Sequence, residues 1–210
     1  MKKNALLLIG LLGFSLIQAQ QKAVTETGEE VILYDDGTWS YINEYQLSKK
    51  DIPTNQNRFE KDYESTFLLK SSNFNVGFYL NPKLWSFKKA IDNPDVEYEL
   101  QLKDKDLYGM IITERVEIPL KTLKSLAMDN AKSVSPDLKI IKEEYRYVNG
   151  IKVLLLQMDG SMDGVKFSYY GYYFSNTNGS VQFITYTSQN LLKSYKPDIE
   201  KLLNGLVELY

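Results

Sequence analysis

A chain of 210 residues with 43% hydrophobic content is long enough for one sizeable core, and too short for a two-domain enzyme of ordinary size. Neither histidine nor cysteine occurs, which excludes Ser-His-Asp and Cys-His nucleophilic systems, disulfides, and zinc, copper or haem sites of the usual ligand types. Basic and acidic residues number 25 and 27, with the basic ones scattered singly, a distribution that offers nucleic acid no footprint.

Met1 to Gln20 reads as an export leader. Lys2 and Lys3 form its positive end, Ala5 to Ile17 its apolar run, and Ala19 sits before an expected cleavage at Ala19-Gln20. The run is shorter than the roughly 18–20 residues a membrane span needs, and no lipid-attachment cysteine exists. The expectation is a soluble exported protein, periplasmic or extracellular, without a stable membrane anchor. Loss of Lys2 and Lys3 leaves 23 of the 25 basic residues against 27 acidic ones, a net charge of −4.

Residues 21–45 predict a small β-hairpin module. Ala23 to Thr25 and Val31 to Tyr34 are strand-like, and Thr38 to Ile42 follows the Asp35-Asp36-Gly37 turn. Trp39 and Tyr41 share a face by strand alternation. That face serves either as an aromatic platform for a glycan or peptide or as a surface docked on the main domain. From Asn43 the composition turns polar, and residues 46–65, with Pro53, read as a solvated, mobile linker.

The main domain is expected over residues 66–210. Thr66 to Lys70 and Phe74 to Leu80 are apolar strands separated by Ser71-Ser72-Asn73, and Trp85 and Phe87 follow as core plugs. Val96, Tyr98, Leu100 and Leu102 alternate with Glu97, Glu99 and Gln101, the pattern of a half-exposed strand paired with Tyr108 to Ile118. Pro119 marks the first position of a helix whose stripe is Leu120, Leu123, Ala127, Ala131 and Val134. Ser135-Pro136 ends it.

Asn149-Gly150, Asp163-Gly164 and Asn178-Gly179 then punctuate four strands, Leu138–Val148, Ile151–Met158, Val165–Phe174 and Ser180–Thr187. Such pairs suit tight hairpin turns, so an antiparallel meander is predicted. The third strand is apolar on both faces and belongs mid-sheet. Pro197 and Asp198 begin a second amphipathic helix with the stripe Ile199, Leu202, Leu203 and Leu206.

This order, together with the Pro-x-x-Trp element Pro82-Lys83-Leu84-Trp85 after an early strand, resembles the PsbP-like superfamily, which includes PsbP, Ran-binding Mog proteins and DcrB-like envelope proteins. The resemblance covers residues 66–210. It implies an α+β fold: an α/β/α sandwich with a central antiparallel sheet and two amphipathic helices, here preceded by the N-terminal hairpin. It also implies a binding or assembly role and carries over no functional residues.

Candidate chemistry is sparse. Glu143 and Glu144 point to opposite faces of a strand, Glu97 and Glu99 sit on a polar face, and Ser161 or Ser168 with Lys166 lacks any further catalytic signal. Asp159, Ser161 and Asp163, followed by Gly164, imitate the opening of a calcium loop, although Tyr170 stands where a bidentate Glu is needed. The tyrosine-rich strand makes Tyr170 and Tyr172, with Trp39 and Tyr41, candidate ligand contacts. The sequence therefore predicts an exported, non-enzymatic interaction or assembly module with an envelope protein partner and no cofactor. A carbohydrate- or calcium-binding protein is the alternative, and a carboxylate hydrolase a remote one.

Overall fold

Two of the three expected turns have the backbone that their residues favour. Asn149 and Gly150 (φ 49° and 88°) and Asp163 and Gly164 (φ 52° and 80°) all lie in the left-handed region, as hairpins with two-residue loops require. In the computed structural model, which describes residues 21–24, 30–34, 37–41 and 52–209, these turns join strands β10 (Lys139–Val148), β11 (Ile151–Met162) and β12 (Val165–Asn176). The third turn differs. It is made by Thr177 and Asn178, with the Asn176 side chain accepting the Asn178 and Gly179 N–H groups. Gly179 already belongs to β13 (Gly179–Ser188) and is needed for space: a Cβ there would come within 2.4 Å of the Glu114 carbonyl. Strand β11 also runs four residues beyond its expected end at Met158.

The remaining elements are β1 (Gln21–Val24), β2 (Glu30–Leu33), β3 (Trp39–Tyr41), β4 (Thr54–Phe59), β5 (Phe67–Lys70), β6 (Val76–Leu80), β7 (Trp85–Lys89), β8 (Tyr98–Leu102), β9 (Leu107–Glu114), helix α1 (Leu120–Val134), helix α2 (Leu192–Leu203) and β14 (Leu206–Glu208). The expected leader lies outside the described residues, as do residues 42–51 of the polar stretch. Among the described residues no helix is long and apolar enough to cross a membrane.

The chain divides into two units, Met1–Asp51 and Ile52–Tyr210. In the first, β1, β2 and β3 form an antiparallel three-stranded sheet. In the second, eight strands lie in the order β4-β10-β11-β12-β13-β9-β8-β7, with β12 near the middle as its two apolar faces require. The fold is α+β, and the large sheet is mixed because β4 runs parallel to β10. That strand corrects the expected linker. Residues 54–58 are polar, yet they sit at a sheet edge where backbone pairing holds them, Phe59 packs against the core, and the Tyr145 N–H donates to Pro53 just ahead of them.

Helix α1 covers one face of the sheet. Leu123 and Ala127 pack with Leu138, Leu154, Leu156, Met158, Tyr173 and Ile184. Pro119 is its N-cap rather than its first helical residue, and offers no side-chain cap, so the helix depends on this packing. On the opposite face lie α2 and a small antiparallel sheet, β14-β6-β5, which enclose the larger core of Phe78, Leu80, Leu155, Tyr170, Tyr172 and Phe183. Each such fully buried side chain contributes about 1.5–3 kcal/mol.

Two expectations for the C-terminus are corrected. Helix α2 starts at Leu192 with Pro197 inside it, because Leu192 and Tyr195 add apolar surface to the core and Pro197 faces solvent. Asp198 and Glu200 are consequently beyond the first turn. Leu206 leaves the helix and is buried in β14, after Gly205 passes so close to β6 that a Cβ would lie 1.8 Å from the Tyr79 carbonyl oxygen.

Candidate interaction surfaces

Alternation along β12 sends Tyr170 and Tyr172 to the α2 face, where both are fully buried. The residue they serve is Arg146 on β10. Its Nε donates to Glu144 at 2.6 Å, and its terminal nitrogens donate to the Tyr172 hydroxyl at 2.9 Å, the Tyr170 hydroxyl at 3.3 Å and Glu200 at 3.4 Å. The Tyr170 hydroxyl donates to Glu200, and that of Tyr172 donates to Asn204. The guanidinium stacks 4.2 Å from the Phe59 ring centroid, and Asn55 donates to Glu144, so β4 closes the cluster from outside. Burial pushes the Tyr172 hydroxyl up to about 12, and both phenols stay neutral donors at physiological pH. The cluster ties β4, β10, β12 and α2 together and presents no face to a ligand. Tyr170 and Tyr172 are thus interior residues rather than ligand contacts.

The other predicted positions are scattered. Trp39 and Tyr41 belong to the first unit, pack edge to face with centroids 5.4 Å apart, and Trp39 is 54% exposed. Asp159 accepts hydrogen bonds from Ser168 and Gln189, each at 2.6 Å. Ser161 instead donates to Asp137 at 2.6 Å, and with Ser135 it holds that carboxylate down to about 2. Asp163 is in the hairpin turn. Asp159 and Ser161 therefore serve separate hydrogen-bond networks, and among the described residues no group of three acids could hold a metal ion. Of the paired acids, Glu97 accepts hydrogen bonds from Ser71, Ser72 and Thr113, while Glu99 pairs with Lys88 at 2.8 Å.

A different surface stands out on the α1 face. On this face the helix lies over β11 and β12 and reaches Ile184 of β13 and Met110 of β9 at its margin, and among the described residues the sheet beyond that margin, towards β8 and β7, shows no packed helix. Register places Tyr169, Tyr186, Tyr108, Gln101 and Ser86 in one row across five strands. Tyr108 and Tyr186 are stacked with centroids 5.5 Å apart; Tyr186 meets Tyr169 at 6.2 Å, and Tyr169 meets Phe167 at 5.1 Å, both edge to face. Tyr186 is 36% exposed and the others are half-buried. Such rings support one another, each cross-strand pair contributing about 0.2–1 kcal/mol.

The next row holds Ile184, Met110, Glu99 and Lys88, so the aromatic row is flanked by an apolar strip and an ion pair. Burial raises the Tyr169 and Tyr186 hydroxyls, and a hydrogen bond with Asp106 raises that of Tyr108, leaving all three neutral. Tyr108 and Tyr186 lie 78 residues apart in the sequence, and only the β9–β13 register brings them together. The alternation of each strand showed which side a residue faces, but no local signal gave that pairing.

No protein-family model and no curated protein sequence matches this chain. Solved structures do. The solution structure of cyanobacterial PsbP (CyanoP) from Synechocystis sp. PCC 6803 is similar with a TM-score of 0.54 at 14% identity, over 70% of this chain and 94% of that one. A protein of unknown function from Pseudomonas aeruginosa, described as a putative regulator, gives a TM-score of 0.44 at 11% identity, over 69% of this chain and 97% of that one. A Bacteroides thetaiotaomicron structure gives 0.45 at 9% identity, over 68% of this chain and 48% of that one. The likeness to CyanoP shows a PsbP-like fold.

Proposed function

We propose that this chain is an exported, non-enzymatic accessory module that binds a protein partner in the bacterial envelope through the part of its large sheet beyond the margin of α1. The observation that carries the reading is the row Tyr169, Tyr186 and Tyr108: wide, rigid, amphipathic side chains on a regular sheet, with neutral hydroxyls, running from the margin of α1 at Tyr169 to the exposed Tyr186. Phenols of this kind give contact area at low entropic cost, and a flat sheet face suits another protein better than a small molecule. Support for export comes from the leader-like pattern of Met1 to Gln20. Support for a binding role comes from the absence of histidine and cysteine and from the way the acids at Glu97, Glu99 and Glu144 are tied into structural bonds.

A sugar is disfavoured on this row, because stacked Tyr108 and Tyr186 spend their ring faces on each other. The exposure of Trp39 favours a glycan on the first unit as a second reading. Co-purification of the tagged chain from its native envelope, repeated with Tyr108→Ala and Tyr186→Ala, tests the first. A stoichiometric partner lost in both variants, with unchanged thermal unfolding, is expected. Retention of the partner by both variants refutes the assignment, and saturable glycan binding abolished by Trp39→Ala moves it to the second reading.

A further inference from the structure

The large sheet ends at β7, and the hydrogen-bond parity of that strand leaves its outer edge open. The Lys103 N–H donates to the Leu84 carbonyl and the Ala90 N–H to the Glu97 carbonyl, so the even-numbered residues of this segment bond inward to β8. The odd-numbered residues point outward. Trp85 confirms this, since its N–H donates to Asn81 instead. Among the described residues, the Trp85 carbonyl and the N–H and carbonyl groups of Phe87 and Lys89 have no backbone partner and form a ready template for one more strand.

The side chains beside this edge have a definite character. Phe87 and Phe67 pack across the gap between the two sheets with centroids 5.2 Å apart, yet they are 39% and 40% exposed. A strand laid against β7 would cover this apolar pair with its central residues. Lys83 and Lys89 flank the pair, exposed and without an acidic partner among the described residues, whereas Lys88 is neutralised by Glu99. Lysines on an edge oppose pairing with another copy of the same edge. They favour a segment of opposite charge.

We propose that β7 is a strand-addition site for an extended segment of a partner protein that is apolar at its centre, opposite Phe87, and acidic at its two ends, opposite Lys83 and Lys89. The main chain supplies affinity, the Phe67–Phe87 pair reads the apolar position opposite it, and Lys83 and Lys89 select acidic flanks. The site is distinct from the tyrosine row, and neither reading depends on the other.

The test uses the whole chain, a fluorescent peptide with a valine–threonine centre and glutamates at both ends, and its counterpart with lysines at both ends. Expected is saturable binding of the acidic peptide, at least about tenfold weaker binding of the basic one, and slowed hydrogen exchange at the Phe87 and Lys89 amides. Lys89→Pro removes one outward N–H and leaves the ladder to β8 intact, so it abolishes binding where Lys89→Gln only weakens it. Phe87→Ser weakens binding with every edge amide retained. Equal binding of both peptides, or binding without protection of those amides, overturns the proposal. So does a concentration-dependent dimer that Lys89→Pro dissolves, since that would assign the edge to a second copy of the chain.

Discussion

Arg146 is a cation placed in the core, so its removal measures how much the polar cluster holds. Its bonds to Glu144 at 2.6 Å and to the Tyr172 hydroxyl at 2.9 Å are charge-assisted, each contributing about 1.5–3 kcal/mol. The contacts at 3.3 and 3.4 Å add little. Stacking on Phe59 contributes about 0.5–1 kcal/mol or more. Against this, Glu144 keeps Asn55 and Lys142 as partners after the loss, which moderates the cost of leaving its charge behind. Arg146→Met is therefore expected to destabilise by about 3–5 kcal/mol, the range for breaking a buried ion pair, out of a total that for such domains is about 5–15 kcal/mol. Urea unfolding followed by the fluorescence of buried Trp85 reads the change. Adding Glu144→Gln to the variant removes the abandoned charge, and the double variant is expected to lose at least about 1 kcal/mol less than the sum of the singles. A loss below about 1 kcal/mol for Arg146→Met, or strict additivity, would refute the view that this cluster fastens β4 and α2 to the sheet.

Three further outcomes follow from particular contacts. The Tyr173 hydroxyl is fully buried under α1 with no hydrogen-bond partner among the described residues, so Tyr173→Phe is expected to raise stability by about 1 kcal/mol; a lower melting temperature would contradict this. Gly205→Ala drives a Cβ into the Tyr79 carbonyl and is expected to cost about 3 kcal/mol or more, read as a drop in urea midpoint, whereas tolerance would mean that the α2–β14 corner can move. Glu97 is raised by burial, but hydrogen bonds from Ser72, Thr113 and Ser71 outweigh this and hold it below its ordinary 4.5. A carboxylate depressed in the folded state stabilises above its unfolded pKa, and that stability is lost as pH falls through the folded value. Stability should therefore decline as pH drops below about 4.5, and Glu97→Gln should flatten that decline; an unchanged pH profile would assign the acid sensitivity elsewhere.

The β8–β9 pairing, the meander and the place of β12 were legible because alternation and Asx-Gly turns are local signals. Strand β4 was not, since Thr54, Asn55, Gln56 and Asn57 carry no apolar pattern, and it exists through backbone pairing to a strand about 90 residues later. Pro197 misled for a related reason: helix propensity placed the start there, and burial of Leu192 outweighed it. For the proposed surface, composition drew attention to the tyrosine-rich strand, whose Tyr170 and Tyr172 are buried. Tyr170 and Tyr172 lie in the densest run and are core, while Tyr108 and Tyr186 come from separate strands and meet only through register.

The most direct measurement places a photo-reactive amino acid at position 108, 186 or, as a control on the exposed side of α2, 193, in the full chain expressed in its native cells. A crosslink to one and the same protein from 108 and 186, and none from 193, is expected of a partner seated on the part of the sheet beyond the margin of α1. Crosslinks of equal yield from all three positions, or from 193 alone, would contradict it.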